Sequence, residues 1–238
     1  MPSFPTKDTA RQAVWDSLQT EGAARFPYPP HGRIPNFAGA EAAAQQLMAH
    51  ALLEGVTAIK ANPDAPQRPV RQRALETGVV VYMPTPRLKG GFFRLDPARI
   101  PGDSLKQAAS LSKGWQWAEA VPLDALDDEI DLVVTGSVAV TRVGRRCGKG
   151  HGFGDLEYAI LRELGHPPLQ VATTVHPLQL VTEFPADPFD LPVSLIATPE
   201  GAIEVTDPPP APTGIDWTAL PEDALAEMPL LAELAKRP

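Results

Sequence analysis

Val143-Gly144-Arg145-Arg146-Cys147-Gly148-Lys149-Gly150-His151-Gly152-Phe153-Gly154-Asp155 sets five glycines and three cations directly before an apolar helical run. That run, Leu156, Tyr158, Ala159, Ile160, Leu161 and Leu164, stops at Gly165. A β-rich segment, Val138 to Thr141, precedes the glycines, and another, Leu169 to Thr174, follows the helix. The order is therefore strand, glycine loop, helix, strand, which is the repeating unit of an α/β sheet. Glycines let a backbone approach an anion closely, and the free N–H groups of a helix start carry partial positive charge. The loop has the outline of a phosphate site, with Lys149 and Arg145 or Arg146 as counter-charges; its composition is equally that of a mobile glycine-rich surface loop. Walker A fails because Lys149 is followed by Gly150, and the dinucleotide fingerprint fails for want of a third glycine at the right spacing.

Outward from this unit the alternation continues. Towards the N-terminus, Val56 to Lys60 and Val79 to Met83 read as strands around a helix from Val70 to Glu76, and Asp131 to Thr135 reads as another strand. An alanine-rich helix is predicted over 39–53. Beyond the unit, Val193 to Ala197 and Ile203 to Val205 read as a hairpin turning at Pro199-Glu200-Gly201. Strands separated by helices imply crossovers and a mainly parallel sheet flanked by helices, with ligands at the carboxyl ends of strands. The glycine loop lies at such an end. Residues 25–37 carry four prolines and read as a stiff, irregular connection. A helix over 6–20, capped by Thr6, places Lys7 and Arg11 on one face, either as a solvated face or around an anion that relieves their repulsion.

The 238 residues, 43% apolar, are enough for one large domain, drawn here as 1–206. A proline-rich linker and a short helical segment make up 207–238. The formal net charge of −8 argues against general affinity for nucleic acid or anionic membrane, so any anion site is local. The polar N-terminus and the absence of an apolar run of membrane length lead us to expect neither signal peptide nor span. One cysteine, Cys147, excludes an internal disulfide and fits a reducing cytoplasm, and no recognisable base lies beside it. The five histidines show no metal-ligand spacing, and Gly136-Ser137-Val138 lacks the context of a nucleophile elbow. Asp155 reads as a helix cap or as a Mg²⁺ ligand beside phosphates, with Glu157 assisting. Asn62-Pro63-Asp64 reads as an ordinary cap of the next helix, and Pro84 to Gly91 as a rigid strand exit or a second anion-facing loop.

Taken together, Lys7-x-x-x-Arg11, Ala24-Arg25-Phe26-Pro27, Arg33 to Phe37, Pro84-Thr85-Pro86-Arg87 and Gly148 to Tyr158 resemble the 5-formyltetrahydrofolate cyclo-ligase (5,10-methenyltetrahydrofolate synthetase) family. The likeness runs over residues 5–206 and is greatest to its divergent branch of methenyltetrahydrofolate synthase domain-containing proteins. The resemblance implies a three-layer, Rossmann-like α/β fold. It also implies an ATP- and Mg²⁺-dependent ligase of one-carbon metabolism that closes 5-formyltetrahydrofolate to 5,10-methenyltetrahydrofolate and releases ADP and phosphate. Nucleotide binding then falls to Lys7, Arg11, Arg146, Gly148, Lys149, Gly150, His151, Gly152, Phe153 and Asp155. Lys149, Arg146 and Asp155 take catalytic parts, Asn62, Pro86, Arg87 and Phe153 meet the substrate, and Asp155 and Asp190 hold the metal. A small-molecule partner, a reduced folate or another N-formyl or amide compound, is expected for a cytoplasmic monomer or homodimer. Members typically carry a tyrosine pair where this chain has Phe153-Gly154, and of the usual C-terminal His-Asp and later Asp only Asp190 remains. These departures leave a second class of reading, a non-catalytic nucleotide- or folate-binding paralogue with a regulatory or interaction role.

Overall fold

A computed structural model describes residues 1–123, 126, 130–220, 222 and 224–237, at Arg87 by its backbone alone. Helix α1 (Lys7–Thr20) begins in a capping box in which Thr6 and Thr9 satisfy each other's backbone N–H groups, and it buries Ala10, Val14, Trp15 and Leu18. The proline-rich connection that follows closes on itself through β1 (Ala24–Arg25) and β2 (Asn36–Phe37), a two-residue antiparallel ladder. It is thus less irregular than its prolines suggest. Next come α2 (Ala40–Met48), β3 (Ala58–Ala61), α3 (Arg68–Glu76), β4 (Val80–Pro84), β5 (Phe92–Leu95), α4 (Leu105–Ala108), β6 (Glu119–Val121) and β7 (Leu132–Val134). The expected 39–53 helix breaks after Met48, and the His50 ring accepts the N–H of Leu52 to start a separate 3₁₀ turn.

The glycine loop is framed by β8 (Ala139–Thr141), β9 (Arg146–Cys147) and α5 (Phe153–Glu163). The chain ends through β10 (Gln170–Thr174), β11 (Leu180–Val181), β12 (Leu195–Thr198), β13 (Gly201–Glu204), α6 (Ala224–Glu227) and α7 (Pro229–Leu234). The main sheet runs β13-β12-β10-β7-β3-β4-β5-β6. Its pairs from β12 to β4 are parallel, and β13, β5 and β6 join antiparallel at the edges. The sheet is therefore mainly parallel, as expected; its β12–β13 border is the predicted hairpin, and the antiparallel β5 and β6 at the other border were not announced by the strand pattern. Val138 to Thr141 is not part of it: β8 pairs with β11 and β9 in a second, three-stranded sheet.

Alternation along the central strands builds three layers. Ile59 and Ala61, Val81, Leu132 and Val134 face Leu47, Val70, Ala74 and Leu75 of α2 and α3. Ala58, Tyr82 and Val133 point to the opposite side, where Tyr158, Ile160 and Leu161 of α5 cover them. Met228, Leu230, Leu231 and Leu234 of the C-terminal segment belong to that same cluster, together with Leu88 and Phe92. A third cluster joins α1 to β1, β2 and β8 through Leu18, Phe37 and Ala139.

Candidate functional site

The carboxyl ends of β3, β4 and β7 open into one cavity of about 1040 Å³. Asn62, Pro63 and Asp64 line it after β3, Thr85 and Pro86 after β4, and Thr135 and Gly136 after β7. The proline-rich loop forms another wall with Phe26, Arg33 and Ile34, tied to α1 by the Trp15 indole N–H donating to the Arg33 carbonyl at 3.0 Å. At Gly136 a Cβ would stand 2.9 Å from Ile34, so only glycine lets this loop close over the strand end. Glu227 of α6 also lines the cavity.

A smaller cavity of about 410 Å³ lies on the far side of the glycine loop. Along that loop the side chains alternate. Lys149, His151 and Phe153 line the larger cavity, Gly150 lines the smaller, and Gly148, Gly152 and Asp155 line both. Gly150 (φ 104°) and Gly152 (φ 69°) are left-handed, a conformation an L side chain rarely adopts, which lets the loop make its turn. The loop is thus a thin wall between two chambers. It leaves β9 of the small sheet, so it does not extend a main-sheet strand as its sequence neighbours imply.

Lys7 and Arg11 line the smaller chamber, as the helical spacing requires. Arg11 Nε donates to the Gly148 carbonyl at 2.7 Å and its Nη1 pairs with Asp8 at 2.5 Å. Lys7 Nζ pairs with Asp187 at 2.6 Å and Asp190 at 2.5 Å. Burial alone would lower the Lys7 amine, but these two carboxylates outweigh it and hold the ammonium above its ordinary value.

Arg146 is buried and anchors the wall. Nε donates to the Leu191 carbonyl at 3.2 Å, Nη1 to the Gly136 carbonyl at 3.0 Å and Nη2 to Asp155 Oδ1. Burial opposes the charge, yet Asp155 carries the guanidinium above its ordinary value. Asp155 Oδ1 also accepts the Leu191 N–H at 2.9 Å. The capping role open to Asp155 does not hold: α5 starts at Phe153, its N-cap is Gly152, and Asp155 sits inside the first turn. Lys149 faces the larger chamber, 3.2 Å from Asp64 Oδ1, and His151 stacks on Phe153 with centroids 6.1 Å apart. Pro86 lines the larger chamber, and the side chain of Arg87 lies outside the described residues.

Asn62 is not a helix cap. Its side chain joins a buried triad in which Lys60 Nζ donates to Asn62 Oδ1 at 3.1 Å, Asn62 Nδ2 donates to Glu157 Oε2 at 2.9 Å, and Lys60 pairs with Glu157. Glu157 thus faces the larger chamber with Lys60 and Asn62 on its Oε2, and is absent from the smaller chamber that Asp155 and Asp190 share. Burial pushes the Glu157 carboxyl above its ordinary value, and Lys60 pulls it part of the way back. Sequence reasoning missed Lys60, Asp64, Thr135 and Asp187. A lysine inside the apolar strand Ala58–Ala61 was the signal, since a buried charge demands a buried partner.

No group of three or more His, Cys, Asp or Glu side chains among the described residues has metal-holding geometry. Asp155 and Asp190 nevertheless share the smaller chamber. One or two carboxylates suffice for Mg²⁺ when phosphates supply the other oxygens, so the residues fit a phosphate-borne ion and not a dedicated protein cage. Cys147 is buried, and burial pushes its thiol up, so it is a poor nucleophile. No helix among the described residues is long and apolar enough to cross a membrane.

Comparison with known proteins agrees with this architecture. The methenyltetrahydrofolate synthase domain-containing protein of Mus musculus is 39% identical over 98% of this chain and 64% of its own length. That of Bos taurus is 37% identical over 96% of this chain and 62% of its own. The chain thus spans under two thirds of these relatives. The NMR structure of 5,10-methenyltetrahydrofolate synthetase from Aquifex aeolicus has the same fold, with a TM-score of 0.55 at 14% identity, covering 86% of this chain and 95% of that one. The sequence profile of the 5-formyltetrahydrofolate cyclo-ligase family matches residues 7–199, and the chain belongs to that family.

Proposed function

We propose that the protein is an ATP- and Mg²⁺-dependent cyclo-ligase that converts 5-formyltetrahydrofolate to 5,10-methenyltetrahydrofolate, with ADP and phosphate released, in the cytoplasm. The observation that carries this reading is the glycine wall with a chamber on each side. The nucleotide phosphates fit the smaller chamber, against Lys7, Arg11 and the amides of 148–152, and the organic substrate fits the larger one. Phosphoryl transfer then takes place where the chambers meet, at Gly148, Gly152 and Asp155.

In this mechanism the formyl oxygen takes the phosphoryl group, N10 attacks the activated carbon, and phosphate departs. The protein's part is positioning and charge neutralisation. Lys149, on the substrate side of the wall, meets the phosphoryl group as it crosses. Arg146, whose described bonds all go to protein acceptors, holds Asp155 and the loop in register and need not touch substrate. Asp155 and Asp190, which share the smaller chamber, would hold Mg²⁺ through the phosphates, and the ion would supply charge neutralisation there.

Purified protein given ATP, Mg²⁺ and 5-formyltetrahydrofolate is expected to generate the near-ultraviolet absorbance of the methenyl product. One observation favours the non-catalytic reading instead. Gly154 stands where typical members carry an aromatic side chain, and a Cβ there would already approach the Thr135 hydroxyl to 3.1 Å, so the position is tight. ATP binding without product would select that reading, and ATP hydrolysis with a different N-formyl or amide compound would select a paralogous reaction.

A further inference from the structure

We propose that Glu157, oriented by Lys60 and Asn62 and seconded by Thr135, sets the specificity of the larger chamber by accepting hydrogen bonds from a neutral N–H edge of the organic substrate. The inference rests on the reading that this chamber takes that substrate.

Four observations converge. Lys60 is fully buried and lies behind the chamber wall, whereas Glu157, Asn62 and Thr135 line it. The carboxylate therefore stands between its cation and the ligand space. Both described hydrogen bonds to Glu157 fall on Oε2, so Oε1 has no protein partner among the described residues. The Thr135 hydroxyl, in a residue with no solvent exposure, likewise has no partner among the described residues. The backbone brings these groups together. Ala61 pairs with Val134, the Asn62 N–H donates to the Val134 carbonyl at 3.2 Å, and Asn62 and Thr135 thus leave the sheet side by side.

The chemistry of the floor selects its ligand. An ionised carboxylate only accepts, and a hydroxyl donates once and accepts twice. Lys60 already compensates the charge on Glu157, so the floor is neutral as a unit. A cation would meet Lys60 behind the carboxylate, and an anion would meet the free oxygen itself. A neutral ring or amide that presents adjacent N–H groups satisfies Oε1 and the Thr135 hydroxyl without leaving a charge unpaired. Lys60 acts through Glu157 and is a positioning residue.

The test is calorimetric titration of 5-formyltetrahydrofolate and its 2-desamino analogue into the wild-type chain, Thr135→Val and the double variant Lys60→Met/Glu157→Gln, with a non-hydrolysable ATP analogue and Mg²⁺ as control. The double variant removes both buried charges together, so neither is stranded. Thr135→Val is expected to raise the melting temperature, since it deletes an unpaired buried hydroxyl, and to weaken the folate roughly 5-fold. The double variant is expected to weaken the folate by about 10-fold or more and leave nucleotide affinity unchanged, and the desamino analogue should discriminate less between it and wild type. Wild-type folate affinity in both variants overturns the inference and leaves the functional reading standing. Joint loss of folate and nucleotide affinity in the double variant, with a lower melting temperature, overturns it in favour of a purely structural ion pair. Absence of any folate binding by the wild-type chain overturns both reading and inference.

Discussion

Asp131 shows how single side chains hold the strand ends that carry the site. Its Oδ2 accepts the Thr57 N–H at 2.8 Å, the Thr57 hydroxyl at 2.9 Å and the Ala58 N–H at 3.0 Å, which ties the start of β3 to the start of β7. Burial alone would raise its carboxyl, but these three donors outweigh it and hold the group below its ordinary value. A depressed carboxylate contributes stability above its unfolded pKa and loses that contribution as pH falls through the folded one. Asp131→Asn is therefore expected to lower stability by about 1 kcal/mol at pH 7, with the difference from wild type shrinking as pH falls below the ordinary carboxylate range, read by urea unfolding across pH. At this scale the sequence was legible where charge and backbone chemistry are local. The glycine loop stood out by its composition, whereas spacing put Lys7 and Arg11 on one helix face without deciding between a solvated face and an anion, a choice that only the family resemblance made. Lys60 and Glu157 were not legible as a pair, because 97 residues separate them and only the docking of α5 on β3 brings them together.

Helix α1 delivers two cations to the smaller chamber from one capped start. Thr6 accepts the Thr9 N–H at 3.1 Å, and Thr9 Oγ1 accepts the Thr6 N–H at 3.2 Å. Thr6→Ala removes the cap and is expected to cost about 1 kcal/mol by thermal unfolding. ATP affinity should fall with it, since Lys7 opens the frayed turn. Periodicity identified α1, α3, α5 and the central parallel strands, whose buried faces repeat locally. It missed β5 and β6. Phe92, Phe93, Arg94 and Leu95 show no two-residue alternation in burial, and their strand character comes from pairing with β4 and β6 at the sheet border. The placement of β8 was illegible for a related reason. Its parallel partner, β11, lies some 40 residues further on, and nothing local distinguishes that partner from the main sheet.

The whole molecule is closed by the C-terminal segment, which the sequence offered as an amphipathic stretch packing back on the domain or on a partner, and which joins the core cluster of the domain. Leu231 is fully buried, and Leu230 Cδ1 would lie 3.2 Å from a Cβ on Gly91, so α7 seals the β5 side of the core. Leu231→Ala is expected to cost about 2–5 kcal/mol, seen as a lower urea midpoint. Ala211, Ile215 and Trp217 pack on the same cluster, so the proline-rich stretch leads along the body of the fold. The proline spacing encoded an extended path, and only the distribution of exposed apolar surface on the body could show where that path lies. The proposed function of the whole molecule depends on the glycine wall dividing nucleotide from organic substrate. Its most direct test is a crystal structure with a non-hydrolysable ATP analogue and Mg²⁺. Triphosphate density is expected in the smaller chamber, against Lys7, Arg11 and the amides of 148–152; triphosphate in the larger chamber, against Asn62 and Glu157, would overturn the proposed division.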